Sequence, residues 1–182
     1  PNHPVFITHR GGHTAYVNSL ALKMAGVENE TPDPPGGKFG RDKETGELTG
    51  RLLETATAPF ENVMPNNFTR ADEQEAVKLI SQMMTQSGVT TAHDAYGSPN
   101  ALRAYQDAYH AGELNMRIYS MIGHMHIDKM LDAGVRTGLG NHWVRVGGMK
   151  LTCDGSISER TARLSEHYVG RPDDFGIIVM PE

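Results

Sequence analysis

From residue 69 onward the chain alternates between two hydrophobic rhythms. Thr69 with Asp72 three residues on is a capping-box pattern, and Ala76, Leu79, Ile80, Met83 and Met84 then recur at helical spacing. Gly88 stops that helix, and residues 89–94 make a short apolar run that reads as a buried strand. Ser98-Pro99 caps and opens a second helix with Leu102, Tyr105 and Tyr109 inward, closed by Gly112. Residues 116–122 read as a strand, 128–133 as a short helix ended by Gly134, and 144–152 as a third strand. Helix and strand in alternation, with short connections, predict an α/β fold with a parallel sheet covered by helices. Each strand ends in polar residues: His93 and Asp94, then His124 and His126, then Lys150 and Asp154. In parallel strands those ends converge on one rim, where such folds keep their chemistry.

Before residue 69 the pattern is less regular. Residues 4–8 read as a short strand that runs into a loop carrying His9, Arg10 and His13 around Gly11-Gly12. That cluster can bind a metal or an anion, or be a polar loop whose imidazoles satisfy carbonyls. The two glycines disfavour the helix on which histidines four apart make a convincing metal pair. A short helix spans 18–26, capped by Asn18 or Ser19 and ended by Gly26. Prolines and glycines at 32–37 exclude regular structure, and residues 38–42 and 47–53 form a hairpin around a turn at 43–46. The chain therefore divides into an insertion or lid segment, 1–68, and a βα segment, 69–182. Insertions of this kind sit over a site or at an interface.

The third strand carries the sharpest chemical signal. Alternation puts Val144, Val146, Gly148, Lys150 and Thr152 on one side, so a lysine stands where a core residue belongs. A lysine in such a place is costly to bury unless something compensates it. Asp154-Gly155-Ser156 then ends the strand as a turn. The plainer alternative is that Lys150 snorkels to an edge and pairs with Asp154 or Glu159.

Composition narrows the classes. A charge of −5, from 22 acids against 17 bases without long blocks of either sign, argues against nucleic acid or an acidic membrane surface as partner. No apolar run approaches the roughly 20 residues of a membrane span. The single Cys153 excludes an intrachain disulfide framework and fits a reducing, cytoplasmic compartment. The chain starts at Pro1, so a native N-terminus is expected to be missing.

Several stretches together carry a family resemblance. Thr8-His9-Arg10-x-x-His13 with Asn18-Ser19, Asp33-Pro34-Pro35-Gly36-Gly37 with Gly40-Arg41-Asp42, and Gly46-Glu47-x-Thr49-Gly50 resemble an insertion of the family 3 amidohydrolases, the YtcJ-like metal-dependent hydrolases. Gly88-Val89-Thr90-Thr91-x-x-Asp94 and Gly148-x-Lys150-x-x-x-Asp154-Gly155-Ser156 with Arg160-Thr161-Ala162 resemble that family's strand ends. The likeness implies part of a TIM-type barrel, about strands two to four, preceded by a lid-like insertion. It implies hydrolysis of C–N bonds of amide or N-formyl type, with a metal-activated water attacking the carbonyl of a small-molecule substrate.

The cofactor so implied is one or two divalent metals, zinc first. The family's carboxylated lysine falls at Lys150 by motif position, which makes Lys150 the implied metal ligand. An unprotonated lysine amine can add carbon dioxide and become an anionic carbamate with oxygen ligands. His9, Arg10, His13, Asp94 and Asp154 are the candidates for lid, substrate or supporting contacts, Asp94 through a hydrogen bond to a ligand. Two features depart from the family. The family's first-strand His-x-His pair is expected ahead of Pro1 and is not among these residues, and His124-x-His126 has that spacing after the wrong strand. The later histidine ligands and catalytic aspartate would lie beyond Glu182. The 182 residues are thus expected to be an internal fragment, inactive alone and prone to self-association through unpaired sheet edges. A different class remains open: a non-catalytic binding or scaffolding module derived from such a barrel.

Overall fold

The computed structural model describes residues 2–61, 63–65 and 67–180, a mixed α/β protein. It divides into two compact units, Pro1–Pro65 with Thr152–Glu182, and Asn66–Leu151.

The first unit is built on an antiparallel sheet of β1 (Phe6–Thr8), β2 (Thr14–Val17), β4 (Leu48–Glu54) and β3 (Gly37–Arg41), in that spatial order. Residues 14–17, which the sequence pattern leaves unassigned, pair with both β1 and β4. The β3–β4 hairpin forms as expected. Its turn is fixed by Asp42, whose carboxylate accepts from the amides of Glu44 and Thr45, and by Gly46 at φ 76°. Helix α1 (Ser19–Met24) is capped by Asn18, whose side chain accepts from Ala21 N at 3.0 Å. Ala15, Ala21, Phe39, Leu52, Ala56 and Phe60, the last from helix α2 (Ala58–Glu61), make a core of their own. This N-terminal stretch is a packed layer, not a loose excursion.

Residues 152–182 belong to this unit, a correction to the division at residue 69. The described residues 152–180 form no helix or strand, and several of their amides and side chains bond within the unit instead. Val179 N donates to Cys153 O at 2.9 Å, Ile177 N to Thr161 O at 2.8 Å, and the Tyr168 hydroxyl to Ala162 O at 2.8 Å. The buried Glu159 bonds His9 on the β1–β2 loop.

The second unit follows the alternation read from the sequence. Helix α3 (Arg70–Gln86), β5 (Thr91–Gly97), α4 (Pro99–His110), β6 (Arg117–Gly123), α5 (Ile127–Asp132) and β7 (Val144–Lys150) succeed one another. The strands form a parallel sheet in the order β5-β6-β7. Thr69 and Asp72 make the capping box, and Ser98 caps α4 with Pro99 behind it. The face of α3 differs from the expected one. Val77 and Ser81 are buried with Met84 packed beside them, while Leu79, Ile80 and Met83 are exposed. Ser81 explains the choice: its hydroxyl donates to Lys78 O and accepts from Asn115 N, so a small residue lies against the turn after α4. One face of the sheet, with Ala92, Ile118, Val144 and Val146, lies under α3, α4 and α5 residues such as Ala104, Ala108 and Met130.

Candidate functional site

Both β5 and β7 carry an irregularity that decides where their functional side chains point. Ser120 pairs with Val146, but Ile122 pairs with Met149, so β7 holds one residue more than β6 across Gly147-Gly148. A bulge of one residue reverses the alternation beyond it. Gly123 therefore opposes Lys150. A Cβ on Gly147 would meet the ring of Tyr119 and Met121, and one on Gly123 would meet Tyr96. Lys150 thus stands with Tyr96, Tyr119 and Gly123 on the open face of the sheet, half-buried at the carboxyl end of its strand. His93 lies on that face too, its ring 4.9 Å from that of Tyr119. The plain alternation from Val144 to Thr152 would have put Lys150 on the other face.

Asp94 goes the other way. Its register partner is Ser120, on the face that packs against helices. One carboxylate oxygen accepts from the Tyr105 hydroxyl of α4 at 3.0 Å and from Ser120 Oγ at 3.4 Å. Burial, and then the neighbouring Asp94 carboxylate, push the Tyr105 phenol well above its usual range. Lys150 and Asp94 both belong to the carboxyl halves of their strands, at the rim where the polar strand ends were expected to converge, but on opposite faces of the sheet. β7 is the outer strand of the described three. His124 and His126 sit in a one-turn 3₁₀ helix after β6, where His124 Nδ1 is buried without a partner.

In the first unit the histidine loop is organised by two carboxylates that sequence reasoning missed. His9 Nδ1 lies 3.0 Å from Glu159 Oε1, and His13 Nδ1 lies 2.9 Å from Glu54 Oε2. Both glutamates are almost wholly buried, with side chains 4% and 5% exposed. Burial alone would raise the Glu159 pKa. The Thr14 hydroxyl and His9, with His9 and His13 adding favourable charge, outweigh it and hold the carboxyl below its usual range. The imidazoles thus bind carboxylates rather than carbonyls, and each binds a different one. No local pattern announces these pairs, because the partners are 150 and 41 residues apart. Arg10 is exposed, and Asp154 accepts from Arg163 N at 2.8 Å, tying its own loop.

Among the described residues no group of three or more His, Cys, Asp or Glu stands together as a metal site. The donor set of the described residues does not fit a complete divalent-metal centre, and Lys150 offers one potential ligand. No described helix is long and apolar enough to cross a membrane.

Comparison with known proteins follows the same lines. The sequence model of the amidohydrolase family matches residues 1–181. The chain is 30% identical to the putative amidohydrolase YtcJ of Bacillus subtilis over 98% of its own length and 34% of that protein's. It is 31% identical to the N-substituted formamide deformylase of Arthrobacter pascens, over 74% of this chain and 25% of that one. The crystal structure of an uncharacterized metal-dependent hydrolase from Pyrococcus horikoshii matches with TM-score 0.63 at 25% identity, covering 98% of this chain and 35% of that one. The chain spans about a third, or less, of the length of the curated relatives it matches.

Proposed function

This chain belongs to the amidohydrolase family, and from that premise we propose that the protein carrying it is a metal-dependent hydrolase of C–N bonds. The reaction is addition of water to the carbonyl of an amide or N-formyl group, with loss of the amine. The substrate is a small molecule, and the resident cofactor is a divalent metal, zinc first. Lys150, carboxylated on its amine, supplies one ligand from the end of β7, and the other ligands come from the rest of the protein. The three parallel strands are about strands two to four of a TIM-type barrel, and the N-terminal part of the first unit, within residues 1–68, is the family's lid-like insertion.

The observation that carries this reading is the bulge at Gly147-Gly148, which turns Lys150 onto the face of the sheet that also carries His93 and Tyr119. The helix residues of the second unit's core pack on the opposite face, and in a barrel this face becomes the interior. The similarity to a formamide deformylase supports the N-formyl class. A second reading, a non-catalytic binding module, draws on the incomplete donor set.

The test is hydrolysis of N-formylamines and N-acyl amines by the whole protein, followed by amine release. Activity that is abolished by a chelator and restored by zinc supports the hydrolase. Turnover unaffected by chelation, or no turnover of either class by a metal-loaded protein, overturns it.

A further inference from the structure

Strand β5 carries a bulge of its own. Asp94 pairs with Ser120 but Gly97 pairs with Ile122, so β5 holds one residue more than β6 over that stretch. Beyond a one-residue bulge the alternation reverses. Tyr96, which unbroken alternation would put on the same face as Asp94, therefore lies on the opposite one. A Cβ on Gly123 would stand 3.5 Å from the Tyr96 ring, whereas one on Gly97 would meet Ser120 and Asp94. Gly123 in turn opposes Lys150 in register. Two bulges, in the strands on either side of β6, thus bring Tyr96 and Lys150 to the two sides of one glycine. We infer that Tyr96 is a specificity-determining residue of the proposed hydrolase, its ring receiving an apolar substituent on the nitrogen of an N-formyl amine held beside Lys150.

The β5 bulge is held in place by its own network. Asp94 Oδ1 accepts from Tyr96 N at 3.2 Å across the bulge. Its Oδ2 accepts from the Tyr105 hydroxyl at 3.0 Å and from Ser120 Oγ at 3.4 Å. Helix α4 and strand β6 therefore fix the carboxylate, and the carboxylate fixes the backbone that presents Tyr96. Bulges recur beside active sites, where they re-aim a side chain. Asp94 is the positioning residue, and Tyr96 makes the contact.

The surroundings of the ring set the class of group it receives. Tyr96 is left 47% exposed, so its ring is not used up in packing. Met125 reaches over the same glycine, its Sδ 2.9 Å from where a Cβ on Gly123 would stand, and is also exposed. The His124 ring meets Tyr96 edge to face, with centroids 6.4 Å apart. On the β5 side of Lys150 the wall is thus an aromatic ring, a thioether and the edge of an imidazole. Such a surface gains by covering apolar atoms.

The chemistry of the substrate then says which of its groups lies there. A formyl carbon bears only hydrogen besides its oxygen and nitrogen, so the apolar part of an N-formyl amine belongs to the amine. With the carbonyl at Lys150, that substituent extends across Gly123 onto Tyr96. The placement of the carbonyl at Lys150 rests on the hydrolase reading. The contact with Tyr96 is read by binding alone, without metal and without turnover.

N-methylformamide and N-butylformamide are titrated into the metal-free whole protein, and their dissociation constants are taken from ligand-observed NMR. Three further methylenes against this wall predict binding of the butyl compound about tenfold tighter or more. Tyr96→Ala is expected to bring the ratio of the two constants to about threefold or less, and Tyr96→Phe to preserve it, because the ring and not the hydroxyl makes the contact. Asp94→Ala is expected to lower the ratio in the wild-type background and to have no further effect in Tyr96→Ala, since it acts through the ring. Tyr105→Phe, which loosens the same carboxylate more gently, serves as the second variant where Asp94→Ala fails to fold. A wild-type ratio near one, no saturable binding of either formamide, or a ratio that Tyr96→Ala leaves unchanged overturns the inference. The hydrolase reading fails separately: zinc-loaded wild type that binds with the expected ratio and turns over neither compound keeps the Tyr96 contact and loses the reaction.

Discussion

At the scale of single residues, the first unit depends on contacts that only a glycine and two buried carboxylates permit. Gly11→Ala would drive a methyl group into Glu159 and break its bond to His9. The expected loss is about 1–3 kcal/mol, read as a lower denaturation midpoint for this unit. An unchanged midpoint would mean that the pairing contributes nothing. Acid should act on the same contact. The Glu159 carboxyl is held below its usual range in the folded state, so the unfolded chain takes up its proton first on acidification. Its stabilisation is therefore complete above the ordinary glutamate range and fades as pH falls through the depressed folded value. Amide exchange of residues 9–13 should rise in that window, and rise less in a Glu159→Gln variant. The sequence displays His9, Arg10 and His13 plainly, since three such residues around two glycines stand out locally. It hides Glu54 and Glu159, because a glutamate in a strand or loop looks the same whether its partner is solvent or a distant histidine.

At the scale of elements, periodicity locates helices and strands well and orients them less well. Every helix and strand expected after residue 69 is present within a few residues. The face of α3 is different, because Ser81 at a contact point outranks the larger Leu79 and Ile80 next to it. Hydrophobicity measures what burial would gain, whereas close approach of backbone is decided by size. Val77→Ala should cost about 1–2 kcal/mol of stability in the second unit, while Leu79→Lys should change it by less than about 0.5 kcal/mol. Leu79→Lys should also reduce self-association of the chain in sedimentation, because Leu79, Ile80 and Met83 form an exposed apolar stripe. If Leu79→Lys destabilises as much as Val77→Ala, the assigned face of α3 is wrong. Lys150 teaches the same lesson in a strand. Alternation counts residues, and a Gly-Gly bulge adds one without changing the hydrophobic pattern that a reader sees. The lysine itself was legible, and the side it faces was not.

At the scale of the whole molecule, the family and its parallel α/β segment are legible because many weak motifs agree along nearly the full chain. The placement of residues 152–182 is not, since it rests on long-range bonds and on no periodic pattern. The proposed hydrolase needs ligands beyond Lys150, which a donor set without a cluster of three cannot supply alone. The central claim therefore meets its most direct test in the metal content of the whole protein. Wild type and Lys150→Ala are purified side by side with bicarbonate and zinc, dialysed against a mild chelator, and their bound metal is counted. The account predicts retained metal in the wild type and loss of most of it in Lys150→Ala with the fold preserved. Equal metal in both would contradict the assignment of Lys150 as a ligand.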